Sequence, residues 1–131
     1  MATDRKQLFA TLRQAQEHLA AAKEDYSQTG SQYKTITEQI RQHQARAQRY
    51  KNEIDNYRPS AGYRWQNDAR DRALQARLDG ATSKLEREQS EIADLKERQA
   101  VLVQRMKVER ESILRLQEAV NRAKRKSGRK G

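Results

Sequence analysis

Two imidazoles, a scatter of carboxylates and a large number of arginines hold most of the chemical potential of this chain. His18 and His43 stand far apart. Neither has a second ligand three or four residues away, the spacing that puts two metal ligands on one helical face. Glu86, Glu88, Glu91 and Glu97 sit among Lys and Arg, where carboxylates read as solvated helix faces supported by opposite charges. Gly30, Gly62, Gly80, Gly128 and Gly131 are too dispersed to form a phosphate-cradling loop. The chain has no cysteine, so thiolate metal sites, disulfides and Cys–His nucleophiles are excluded, and a reducing compartment fits. No Ser–His–Asp set converges in a thin rod, which lacks a concave pocket. The expectation is a protein that is not an enzyme, without catalytic, metal or cofactor-binding residues.

Binding chemistry is a different matter, and two groups of residues suggest it. Near the C-terminus stand Arg122, Lys124, Arg125, Lys126, Arg129 and Lys130 with no acid between them. Such a tail suits an anionic partner, whether nucleic acid, acidic lipid or an acidic protein face. It equally serves as a solvated end that keeps a thin helical protein soluble. The second group lies in NEIDNYRPSAGYRWQND, residues 52–68, which holds the single proline, Tyr57, Tyr63 and the single tryptophan, Trp65. Set among Arg58, Arg64, Arg70 and Arg72, these rings form a candidate protein-contact patch, because Trp, Tyr and Arg dominate interface hot spots. The same rings can also fold over the turn as a plug with cation–π support.

The elements that position these groups follow from composition and period. Of 131 residues, 35% are charged and 34% hydrophobic, with a net charge of +10. That leaves too little apolar material for a thick core, so the alternatives are disorder or a helical structure one stripe wide. The period decides for helix. Stepping by three and four from Leu8 gives Leu12, Ala15, Leu19, Ala22, Tyr26, Thr29, Tyr33, Ile36, Ile40, His43, Ala47, Tyr50, Ile54 and Tyr57. A second run passes through Leu74, Leu78, Ala81, Leu85, Glu88, Ile92, Leu95, Gln99, Leu102, Met106, Glu109, Ile113, Leu116, Val120 and Ala123. A mean spacing near 3.5 sustained this long marks coiled-coil helices.

Pro59 and Ser60-Ala61-Gly62 break the pattern, and a short connection makes the helices antiparallel. The expected architecture is all-α, a long antiparallel two-helix coiled-coil hairpin over residues 1–126. Helix spans 4–57, turn 58–63 and helix 64–126, followed by a basic disordered tail at 127–131. A turn centred between Ser60 and Ala61 pairs residues whose numbers sum to 121, so Leu19 faces Leu102, Ala47 faces Leu74, and His43 faces Leu78. In that register polar seam residues never meet. Helix 2 overhangs beyond about residue 117, and the seams disagree toward the tip, where Tyr50 faces Asp71 and Tyr57 faces Arg64. Gly30 and Gly80 fall inside the helices, where glycine costs up to about 1 kcal/mol relative to alanine.

The residues Tyr50-Lys51-Asn52, Ser60-Ala61-Gly62, Arg64-Trp65, Asn67, Leu78-Asp79 and Ala81 resemble the middle of the FliJ/YscO family of type III secretion and flagellar export proteins. The likeness covers residues 5–126 in architecture and 48–81 in residues. It implies a central stalk whose paired termini enter the export ATPase ring, whose mid-hairpin surface engages the export gate, and which also meets secretion chaperones. By the same resemblance, gate contacts fall on Gln39, Tyr50, Leu74, Leu78 and Ala81, while His43 and Arg46 depart from the pattern. Competing expectations are a structural coiled coil that binds nucleic acid through its tail, and a scaffold that self-associates through Phe9, Tyr26 and Tyr33. No window is apolar enough for a membrane span, so a cytoplasmic location is expected, and the resemblance implies a place peripheral at the membrane export apparatus.

Overall fold

The computed structural model describes residues 2–128, with side chains from 10 to 128. It contains two helices, α1 over Ala2–Tyr57 and α2 over Ala69–Gly128, and no strand among the described residues. The chain is an all-α helical hairpin. Leu8, Phe9, Arg129 and Lys130 lie outside the residues whose side chains are described.

Good helix formers fill both elements, and side chains one turn apart tie successive turns together. Arg41 reaches Glu38 at 2.8 Å, Gln48 donates to Asn52 at 3.0 Å, and Gln75 donates to Asp79 at 2.8 Å. Helix α1 runs unbroken through Gly30 and α2 through Gly80. A Cβ placed on either glycine would meet nothing within 4 Å, so no close approach within the chain requires glycine there. At the end of α1 the Arg58 amide still donates to Ile54 O at 2.9 Å, and Pro59 then stops the helix.

Solvent exposure follows the two apolar seams closely. From residue 10 to Tyr57, the buried and half-buried positions of α1 are those from Leu12 to Ile54 in the seam, together with Gly30. The α2 seam from Leu74 to Ala123 is likewise buried or half-buried throughout.

Two compact units make up the chain, one of Met1–Lys34 with Ala100–Gly131 and the other Thr35–Gln99. Within Thr35–Gln99 the helices touch in opposite chain order. Gln99 donates to Thr37 at 3.0 Å, Glu88 meets His43, Lys84 lies 5.8 Å from the Tyr50 ring, and Arg77 lies 5.7 Å from the Tyr57 ring. The core here is Ile40, Ala47, Ala81 and Leu95. Within the other unit the core is Leu19, Leu102, Val120, Ala123 and the hydroxyl-bearing Thr29, only 2% exposed. Burial does not leave that hydroxyl unsatisfied, because Thr29 Oγ1 donates to the Asp25 carbonyl at 3.0 Å. Arg110 reaches the Tyr26 hydroxyl at 3.5 Å. A groove of about 310 Å³ opens between His18, Ala21, Ala22, Asp25, Glu109 and Ser112, where small side chains underfill the space.

These contacts correct the expected register. Numbers of contacting residues sum to between 131 and 136, not 121. At the seam itself His43 meets Glu88, so two polar seam residues do pair, contrary to expectation. The phase survives because the seam contact of His43 with Glu88, at a sum of 131, shifts the pairing by ten residues, close to three layers of about 3.5. A sum of 131 or 132 sets Ile40 level with Ile92, Ala47 with Leu85, Ile54 with Leu78 and Tyr57 with Leu74, so the seams agree up to the loop. The expected overhang past 117 is likewise corrected, since Val120 is 2% and Ala123 8% exposed.

Glu88 joins His43 to Arg46, whose Nε lies 3.4 Å from its carboxylate, between the apolar seam residues Ile40 and Ala47 of α1 and Leu85 and Ile92 of α2. Such a layer adds little stability over a well-packed apolar pair, but losing one member strands the other. Substitution Glu88→Leu should cost about 1–3 kcal/mol. The double variant His43→Leu, Glu88→Leu should recover most of that loss. Urea denaturation of the parent and the variants, followed by helical circular dichroism, checks this; equal losses in single and double variants would contradict it.

Candidate protein-interaction site

Between the helices lies a connection of residues 58–68, longer than the expected 58–63. Its first part is the anticipated turn, in which the Tyr63 amide donates to Ser60 O at 2.9 Å across Ala61-Gly62. Residues 64–68 then continue without helix, and α2 starts at Ala69 instead of 64. The cause is the sequence Asn67-Asp68-Ala69-Arg70-Asp71. Asp68 caps the helix, its Oδ1 accepting from the Asp71 amide at 2.9 Å. Asp71, three residues on, reaches back to accept from the amides of Asn67, at 2.9 Å, and Gln66. This is a variant of the reciprocal capping box. Asn67 takes the left-handed conformation, φ 57°, which a short polar side chain tolerates well.

Asp71 also accepts the Tyr63 hydroxyl, so one carboxylate, 4% exposed, gathers the loop onto the first turn of α2. Its carboxyl is held below the usual carboxylate range, first by the Tyr63 hydroxyl, then by the Gln66 and Asn67 amides and the charge of Arg70, against the opposing pull of burial. The same bond raises Tyr63, with burial and the Asp71 charge acting in the same direction.

On this anchored loop the rings lie partly open. Trp65 is 48% exposed and packs edge-on against Tyr63, with centroids 5.2 Å apart and planes at 79°. Tyr57 is 38% exposed beneath Arg77. The expected facing of Tyr50 with Asp71 and of Tyr57 with Arg64 is corrected, since Tyr50 lies under Lys84, Tyr57 under Arg77, and Asp71 is occupied by the loop. A plug reading holds for Tyr63 alone, and Trp65 keeps half its surface in solvent. Beside Tyr63 a groove of about 330 Å³ is lined by Arg70, Ala73, Leu74 and Arg77.

The structure treats the other expected contact residues unequally. Gln39, Arg58 and Arg64 are exposed, Tyr50, Leu74 and Leu78 are half-buried, and Ala81 is part of the core at 4% exposure. Ala81 is therefore not open to a partner while the helices are paired. Arg122, Lys124, Arg125 and Lys126 are exposed on the last turns of α2, which stays helical to Gly128 instead of becoming a tail at 127. Sequence reasoning passed over Arg77, which lines the groove, and Asp68 and Asp71, which build the loop; an acid at the cap and another three residues on was the available signal. Among the described residues no group of three or more His, Cys, Asp or Glu could hold a metal ion, and no helix is long and apolar enough to cross a membrane. Neither a protein-family model, nor a curated protein, nor a solved structure matches this chain.

Because Asp71 is depressed in the folded state, its contribution is complete above the ordinary carboxylate value of about 4 and fades as pH falls below it. Acidification should therefore free the loop before it melts the helices, seen as a change in emission of the single tryptophan that precedes loss of helical circular dichroism. Substitution Asp71→Asn should reproduce that emission at neutral pH. Emission and helicity falling together, with Asp71→Asn emitting like the parent, would contradict the anchoring role.

Proposed function

We propose that the chain is a non-enzymatic helical stalk or adaptor of a type III export apparatus, flagellar or injectisome, that contacts the export ATPase ring and the export gate. The observation that carries this reading is two long helices, each burying a single seam, which leaves most of the described side chains exposed for partners. Its residues between 48 and 81 resemble those of FliJ/YscO proteins, and Gln39, Tyr50, Leu74 and Leu78 would meet the gate with at least part of their surface in solvent. Ala81, at 4% exposure, would act by letting the helices approach closely. The exposed cations at the end of α2 would be steered toward an acidic ring. Such a shaft works mechanically, by contacting ring subunits unequally and so biasing their states.

A second reading draws on those same cations. Arg122, Lys124, Arg125 and Lys126 could hold the phosphates of a nucleic acid, with affinity that falls steeply as salt rises.

Affinity capture from the source cell separates the two, with a variant in which Arg122, Lys124, Arg125 and Lys126 become Gln as the comparison. That variant is preferable to truncation because Ala123 is buried. The export reading expects an ATPase and gate components with the parent protein, and loss of the ATPase with the variant. Recovery of nucleic acid alone, released by moderate salt, would overturn it.

A further inference from the structure

We propose that the loop and the first turns of α2 form a docking site for an acidic protein segment, which seats a carboxylate between Arg70 and Arg77 and an aliphatic side chain against Leu74 and the Tyr63–Trp65 pair. The inference does not depend on a role in export.

Three observations converge on it. The groove beside Tyr63 is lined by two arginines, two apolar side chains and a tyrosine, with no acid among them. Neither Arg70 nor Arg77 makes an ion pair among the described residues. Asp71, the acid next to Arg70 in the chain, is buried and already accepts from Tyr63, Gln66 and Asn67. Two guanidiniums at one groove therefore retain donors for an incoming carboxylate, which arginine binds with a planar fork.

The surface is also prepared in advance. Asp71 fixes the loop, Tyr63 fixes Trp65 edge-on, and the Tyr57 ring lies under Arg77. A partner meeting a fixed surface loses less conformational entropy than one that must order a loop. Half-exposed Trp65 supplies the apolar anchor that interface hot spots favour.

The charge pattern favours a protein over a nucleic acid. Exposed Asp55, Asp68 and Asp79 interrupt the arginines along this part of the chain. A phosphate backbone needs a continuous positive track with several stacking rings, whereas a short peptide needs one carboxylate site and one apolar contact.

Trp65 is the only tryptophan, so its emission reports occupancy directly. The full chain is titrated with a short acetylated peptide of glutamate and leucine, with a lysine–leucine peptide and with oligothymidylate. The expected result is a saturable change with the acidic peptide that weakens about tenfold in Arg70→Gln, Arg77→Gln. The quadruple Gln variant of Arg122, Lys124, Arg125 and Lys126 should bind as the parent does. Because Arg77 also covers Tyr57, Arg70→Gln alone is measured and should weaken binding in the same direction while circular dichroism stays unchanged. Binding indifferent to Arg70 and Arg77, or lost with the α2-end cations instead, overturns the proposal. So does tighter binding of oligothymidylate through the same two arginines.

Discussion

Burial of one line of side chains along each helix is the constraint on which the rest depends. With 34% hydrophobic residues the chain has enough apolar surface for a single seam and little more. Buried positions in Thr35–Gln99 are small or slender, Ile40, Ala47, Ala81 and Leu95, and the same holds for Leu19, Leu102, Val120 and Ala123 in the other unit. Each layer contributes on the order of 1–3 kcal/mol before conformational entropy is subtracted. The choice of layers that meet therefore decides which polar groups are satisfied and which rings reach solvent.

Apolar phase alone cannot make that choice, because any shift by a whole number of layers keeps apolar residues level with apolar residues. Two polar devices discriminate. One is the layer of His43, Glu88 and Arg46, in which a seam imidazole meets a seam carboxylate. The other is the cap at Asp68 and Asp71, which starts α2 at Ala69 and so sets the length of the connection. Buried polar groups are known to specify register in paired helices at some cost in stability. Here they act at both ends of a short segment, and the loop anchored by the second device carries Tyr63 and Trp65.

Much of this was legible in the sequence. From Leu12 to Ile54 and from Leu74 to Ala123 the seam residues are buried or half-buried, and the end of α1 at Tyr57 follows from Pro59. Register was not legible from Pro59 and Ser60-Ala61-Gly62, because a tight turn there is real but is not where α2 begins. The warning lay in Tyr50, Ile54 and Tyr57, which a sum of 121 left opposite polar residues. Only the longer connection matches them with Ala81, Leu78 and Leu74. Arg77 was missed because its significance comes from a groove that forms only when the loop folds back on α2.

The claim tested most directly is that register. The chain has no cysteine, so spin labels can be placed on exposed positions without background. Gln44 is labelled with Arg87 in one protein and with Ala76 in another, each pair as cysteine substitutions, and electron–electron dipolar distances are compared. At a rise of about 1.5 Å per residue, the account predicts that Gln44 is level with Arg87 and offset from Ala76 by roughly 15 Å along the helix axis, so that the Gln44–Arg87 distance is the shorter. The reverse order, with Gln44 closer to Ala76, would show that the seams pair three layers away and would contradict the account.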